Sequence, residues 1–130
     1  MSASQTSFIV RSFSTIISNT KANLGNLHSS TRTSSGNTSD IDVSSYRSIR
    51  FLLKVTSVSG TSPTLDVYIE GKYDQTGDYE VLLQRTGVTA NGNYFMGQID
   101  NLVFRNIRVR WVIGGTSPSF NFTVTAMALV

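Results

Sequence analysis

The chain has 130 residues, enough for one domain with a single core, and its formal charge of +3 is too small and too scattered to single out nucleic acid as a partner. It has no cysteine, which excludes disulfides and thiolate metal sites, and its one histidine, His28, lies in a Ser/Thr-rich stretch where neither a Ser-His-Asp triad nor a histidine-rich metal centre can be assembled. Charged residues make up 15% and hydrophobic residues 39%, with Ser, Thr, Asn and Gly filling much of the balance, a composition of strands and loops rather than helices.

Residues 8–17 carry Phe8, Val10, Phe13, Ile16 and Ile17 with a break in alternation near Ser12, which reads as a bulged strand or two short ones. Residues 20–39 are dominated by Ser, Thr, Asn and Gly, with Leu24 and Leu27 as apolar anchors. Two readings stand there: a flexible linker, or a long loop that is ordered only against a neighbouring subunit. Residues 41–46 supply a short strand and a turn. Residues 48–56 then read as a strand with Ile49, Phe51, Leu53 and Val55 facing in and Arg50 and Lys54 facing out. The cluster Ser59-Gly60-Thr61-Ser62-Pro63 reads as a hairpin turn into residues 64–73, where Leu65, Val67 and Ile69 oppose Asp66, Tyr68 and Glu70.

Gln75-Thr76-Gly77-Asp78 is a further turn, and a strand through Tyr79, Val81 and Leu83 follows it. Ala90-Asn91-Gly92-Asn93 is a hairpin signal of the Asn-Gly kind, leading into residues 94–99. Residues 105–126 hold the strongest pattern. Ile107, Val109, Trp111 and Ile113 form one apolar series, with Arg108 and Arg110 between them, and Phe120, Phe122, Val124 and Ala126 form another. Gly114-Gly115-Thr116-Ser117-Pro118 separates the two and reads as a hairpin.

The pattern predicts one all-β domain over residues 1–130, an antiparallel two-sheet sandwich of jelly-roll type with about eight strands and a loop at about 20–39. No apolar run approaches the roughly 20 residues of a membrane-spanning helix, and no secretory signal is legible near the start, so assembly in the cytosol is expected. The last residues, Met127, Ala128, Leu129 and Val130, are apolar to the end, and either pair inside the sheet or are covered by a partner.

Candidate chemistry is sparse. Asp74, Asp78 and Glu80 crowd one turn with oxygen donors for a hard cation, but their spacing fits no established loop and a solvated acidic turn accounts for them. Asp40 and Asp42 share a strand face, the arrangement of a glycosidase acid and base, which is also common in exposed strands. Arg50, Lys54, Arg108 and Arg110 share an outer face if the two long strands are neighbours, a face either solvated or set against an acidic neighbour. Trp111 is assigned to the core, and no cofactor or metal is expected. Arg108, Arg110 and the four terminal residues are the candidate assembly contacts.

The run VTSVSGTSPTLDVYIEG at 55–71, NGNY at 91–94, RVRWVIGGTSPSFNFTV at 108–124 and the DVSSY leading into the second half at 42–46 resemble the small β-sandwich structural proteins of tailed bacteriophages. The resemblance covers about residues 41–124, and the segment 70–79 departs from it in lacking a Trp. It implies a non-enzymatic virion component of head decoration, head-fibre or tail-associated type. Such a protein is expected to be a homo-oligomer that binds other virion proteins, such as the major capsid protein, after assembly in the bacterial cytoplasm. The alternative is a carbohydrate-binding module, which would expose several aromatics on one face, whereas Tyr68 and Tyr73 fall on opposite faces by parity.

Overall fold

The computed structural model describes residues 21–130, so the strand expected at 8–17 lies outside the described residues. All described regular structure is β: β1 (Lys21–Arg32), β2 (Gly36–Asn37), β3 (Ile41–Asp42), β4 (Ser48–Lys72), β5 (Tyr79–Val88), β6 (Gly92–Ile99) and β7 (Asn106–Leu129). Every pairing is antiparallel, and the hydrogen bonds join the seven strands into one sheet in the order β1-β7-β4-β5, with β2 and β3 also on β7 and β6 also on β4. The all-β, antiparallel architecture expected from the sequence is present, as seven strands in one hydrogen-bonded sheet among the described residues.

Its organising element is the pair β4 and β7, which run beside each other from Ser48 opposite Leu129 to Gly71 opposite Ile107. A straight strand of 25 residues would be about 80 Å long, whereas a compact 130-residue domain is only about 35–40 Å across. Both strands therefore turn a corner. They do so together, at the two clusters read from the sequence as hairpin turns, where Ser59 lies opposite Ser119, Thr61 opposite Thr116 and Thr64 opposite Gly114 with register slips between them.

The turn chemistry is used, but for a bend rather than a chain reversal. Gly60 and Ser62 have φ of +112° and +49°, and Gly115 and Ser117 repeat this at +109° and +48°. The two corners are seated in one another. A Cβ on Gly60 would lie 2.7 Å from the Ser117 carbonyl oxygen, and one on Gly115 would lie 2.7 Å from that of Ser62. The Asn-Gly signal is a third corner, since β5 and β6 both pair with β4 and not with each other. The turn at residues 73–78 is the expected hairpin, joining β4 to β5.

The segment at 20–39, expected as linker or loop, is mostly strand. β1 follows β7 on one side of the corner, and β2 and β3 follow it on the other. Each half of the bent sheet thus has a β4–β7 centre flanked by outer strands. The inner faces meet in one core: Phe51, Leu53 and Val55 from before the β4 corner, Leu65, Val67 and Ile69 from after it, with Val109, Trp111, Phe120, Phe122 and Val124 of β7. Trp111 and Phe122, on opposite sides of the β7 corner, touch edge to face with centroids 5.6 Å apart.

Candidate functional site

Beyond the corner, the outward positions of β4 and β7 carry Tyr68 opposite Arg110 and Glu70 opposite Arg108. Glu70, read from parity as a wet residue, is 5% exposed. Arg108 Nε donates to its Oε1 at 2.9 Å, and Arg110 Nε donates to its Oε2 at 2.8 Å. Each guanidinium also lies over a ring, Arg108 at 3.6 Å from the Tyr79 centroid and Arg110 at 4.3 Å from that of Tyr68. The network continues to Asp40, which accepts from Tyr79 Oη at 2.5 Å and from Lys72 Nζ at 3.0 Å. These bonds, Tyr79's first, hold the Asp40 carboxyl below its usual range. The same contacts raise Tyr79 and Lys72. Arg108 and Arg110, expected on a face either solvated or set against an acidic neighbour, both bond Glu70 of the same chain.

Arg50 and Lys54 do not share that face, contrary to expectation. They lie on the other side of the corner, on the outer surface of the first half, among exposed Leu52, Phe95 and Met127. Leu52 is opposite Phe95 on β6, and Arg50 is opposite Met127 on β7. Arg50 donates to Gln98 Oε1 at 3.0 Å and covers the Phe95 ring at 5.5 Å. Gln98 donates in turn to Asp100 Oδ1 at 2.8 Å, and this bond comes first in holding the Asp100 carboxyl low. A hollow of about 290 Å³ opens beside them, lined in part by Ile49, Met127 and Leu129.

The apolar carboxyl end pairs inside the sheet. Ala128 lies opposite both Ala22 and Ile49, and Leu129 opposite both Lys21 and Ser48. The Leu129 carbonyl also accepts from the Arg47 N–H at 2.8 Å. Ala128 is buried, Leu129 half-buried, and Met127 and Val130 are exposed. Met127 and Leu129 alternate outward from buried Ala126 and Ala128, and Met127 is the more exposed of the two.

His28 sits on β1 with its ring 4.5 Å from that of Trp111 and 4.4 Å from that of Phe122. Burial, and then the nearby Arg32 charge, push its pKa below the ordinary value of 6.5. Trp111 is 2% exposed, as expected of a core residue, and its Nε1 donates to the Ser34 carbonyl at 3.1 Å. Asp42 accepts from the hydroxyl and the N–H of Ser44, which lower its pKa. Neither Asp40 nor Asp42 has the raised pKa of a glycosidase acid. In the acidic turn, Asp74 is 3.5 Å from Arg105 Nε and Glu80 accepts from the Tyr73 hydroxyl, so these carboxylates are directed to different partners.

No family model matches the chain, and no curated protein sequence matches it. Among solved structures, the crystal structure of the SPBc2 prophage-derived protein YomS is similar in fold: TM-score 0.54 over 85% of this chain and 94% of that one, at 13% sequence identity.

Proposed function

We propose that this protein is a non-enzymatic structural subunit of a bacteriophage particle, a capsid decoration, minor capsid or tail-associated protein that acts by protein–protein assembly. The observation that carries the reading is the fold shared with a prophage-derived protein over nearly the whole of both chains. The phage-like motifs add to it, since residues 59–63 and 114–118 are the paired corners on which the fold depends. Assembly rather than catalysis accords with the two lowered aspartates and with a histidine packed between aromatic rings. On this reading the bent sheet serves as a compact sandwich that works in several copies, with the major capsid protein or a tail protein as its neighbour.

The test is quantitative mass spectrometry and antibody-labelled electron microscopy of purified particles from cells that produce this chain. The expected result is a fixed copy number per particle and label confined to one part of the virion. Its absence from particles, with the protein remaining in the soluble cell fraction, overturns the proposal.

A glycan-binding role has one observation in its favour. A hollow of about 430 Å³ beside exposed Tyr73 is lined by Phe104, Lys72, Asp74, Glu80 and Arg105. A glycan array that shows no binding removes it.

A further inference from the structure

The two outer faces of the bent sheet treat their cations differently. Beyond the corner, Glu70 neutralises two arginines. Before the corner, Arg50 is held by neutral Gln98 and by the Phe95 ring, and among the described residues Lys54 has no carboxylate partner. Between these cations lie Leu52, Phe95 and Met127, which are 37%, 57% and 52% exposed on the first half's outer surface. An exposed apolar cluster rimmed by polar groups marks an interaction site.

We infer that this face is a self-complementary interface, and that its occupant is a second copy of the chain. The argument is the order of charge along it. Lys54 stands at one end, two residues beyond Leu52. Asp100 stands at the other, reached from Arg50 through Gln98 and influenced by the Arg50 charge. The apolar side chains are in the middle. A two-fold axis lying across the strands midway between the Arg50–Gln98 row and the Leu52–Phe95 row sets each copy's Lys54 against the other's Asp100, beside Ser48, and brings Leu52 and Phe95 of one copy over the Arg50, Gln98 and Met127 row of the other. This is the arrangement an isologous dimer requires. Phe95 is the central anchor, an aromatic side chain exposed on an outer strand. The inference rests on the proposed assembly role and names the surface that serves it.

Sedimentation velocity on the purified full chain over about 1–100 μM tests it, since a dimer of micromolar affinity changes state in that range. The expected result is a concentration-dependent dimer. Phe95→Glu should weaken it at least about tenfold, with melting at submicromolar, monomeric concentration little changed because the side chain is on the surface. Lys54→Glu and Asp100→Lys should each weaken it several-fold, and the double variant, which restores opposite charges across the axis, should recover it. A strictly monomeric chain, a dimer indifferent to Phe95→Glu, or a charge swap that fails to recover binding overturns the inference. A monomer that still joins particles overturns this inference and leaves the proposed function standing. A Phe95-dependent dimer absent from particles does the reverse.

Discussion

Replacing Gly60 by alanine places a methyl group 2.7 Å from the Ser117 carbonyl oxygen and 2.8 Å from Pro118 Cα, and asks an L-residue to hold φ near +112°. The neighbours are backbone atoms of the facing corner, so no side chain can swing away. Backbone strain of about 1–3 kcal/mol adds to the cost of shifting the facing strand, giving a loss of about 2–4 kcal/mol for Gly60→Ala. Gly115→Ala meets the mirror arrangement, 2.7 Å from the Ser62 carbonyl oxygen, and should lose as much. At roughly 4 °C per kcal/mol for a chain of this size, each variant should melt about 8–16 °C lower, followed by circular dichroism with urea unfolding as a second measure. The double variant carries the sharper test. Once one methyl group has pushed the corners apart, the second meets less resistance, so the combined loss should fall short of the sum by about 1–2 kcal/mol. Two independent hairpin tips would give additive losses. Additivity, or single losses below about 0.5 kcal/mol, would refute the interlocked corner.

Trp111→Ala removes a 2%-exposed ring from contact with Phe122 and His28 and should cost about 3–5 kcal/mol in urea unfolding followed by circular dichroism. Glu70→Gln leaves two partly exposed arginines without their carboxylate and should cost about 2–3 kcal/mol, more than Arg108→Ala alone, because Arg110 still pairs with Glu70 in that variant. His28 binds its proton less readily folded than unfolded, so its contribution is complete above the ordinary value of 6.5 and is lost as pH falls from there through the lowered native pKa. Urea midpoints should therefore drop across that window, and His28→Phe should flatten the slope while the carboxylate-dependent loss near the ordinary aspartate value of 3.8 remains. Deleting residues 127–130 strips pairing from both β1 and β4, so the truncated chain should melt well below the full one or fail to fold, as read by thermal circular dichroism.

Period-2 alternation in the sequence was a reliable guide to burial. Phe51, Leu53, Val109, Trp111 and Phe122, named as core from pattern alone, are all at or below 2% exposure. What alternation cannot express is partner choice. A hairpin at residues 59–63 would pair Val55 with residues just beyond the turn, whereas Val55 faces Phe122 and Val67 faces Trp111. Corners and chain reversals both call for glycine and positive φ, so local chemistry does not separate them. The separating signal was the repeat itself, Gly-Thr-Ser-Pro at 60–63 and again at 115–118, which has a structural reason if the two copies meet. β1 was hidden for a different reason. Register slips between Asn23 and Gly25 and between Asn26 and His28 break its alternation. Its outward side chains are hydroxyls and amides that bond across to β7, such as Ser29 to Thr123 and Thr31 to Asn121.

The faces differ in a way that one strand read by itself conceals. Arg50 and Lys54 in the first apolar series resemble Arg108 and Arg110 in the third in placing cations at outward positions of a buried strand, although Leu52 stands between the first pair. Their roles diverge through what the neighbouring strand delivers. Glu70 arrives opposite Arg108 and turns two arginines into fixed structure. Opposite Arg50 and Leu52, the neighbouring strands deliver Met127, Gln98 and Phe95, none of which carries charge. A charge-assisted hydrogen bond to a buried carboxylate contributes about 1.5–3 kcal/mol, enough to commit a side chain to the fold. An arginine held by an amide and a ring has no such commitment. On the first half's face the carboxylate of Asp100 binds Gln98 rather than a cation, so Arg50 and Lys54 stay beside apolar Leu52, Phe95 and Met127, and the strand pairing, rather than the count of charges, decides this difference between the faces.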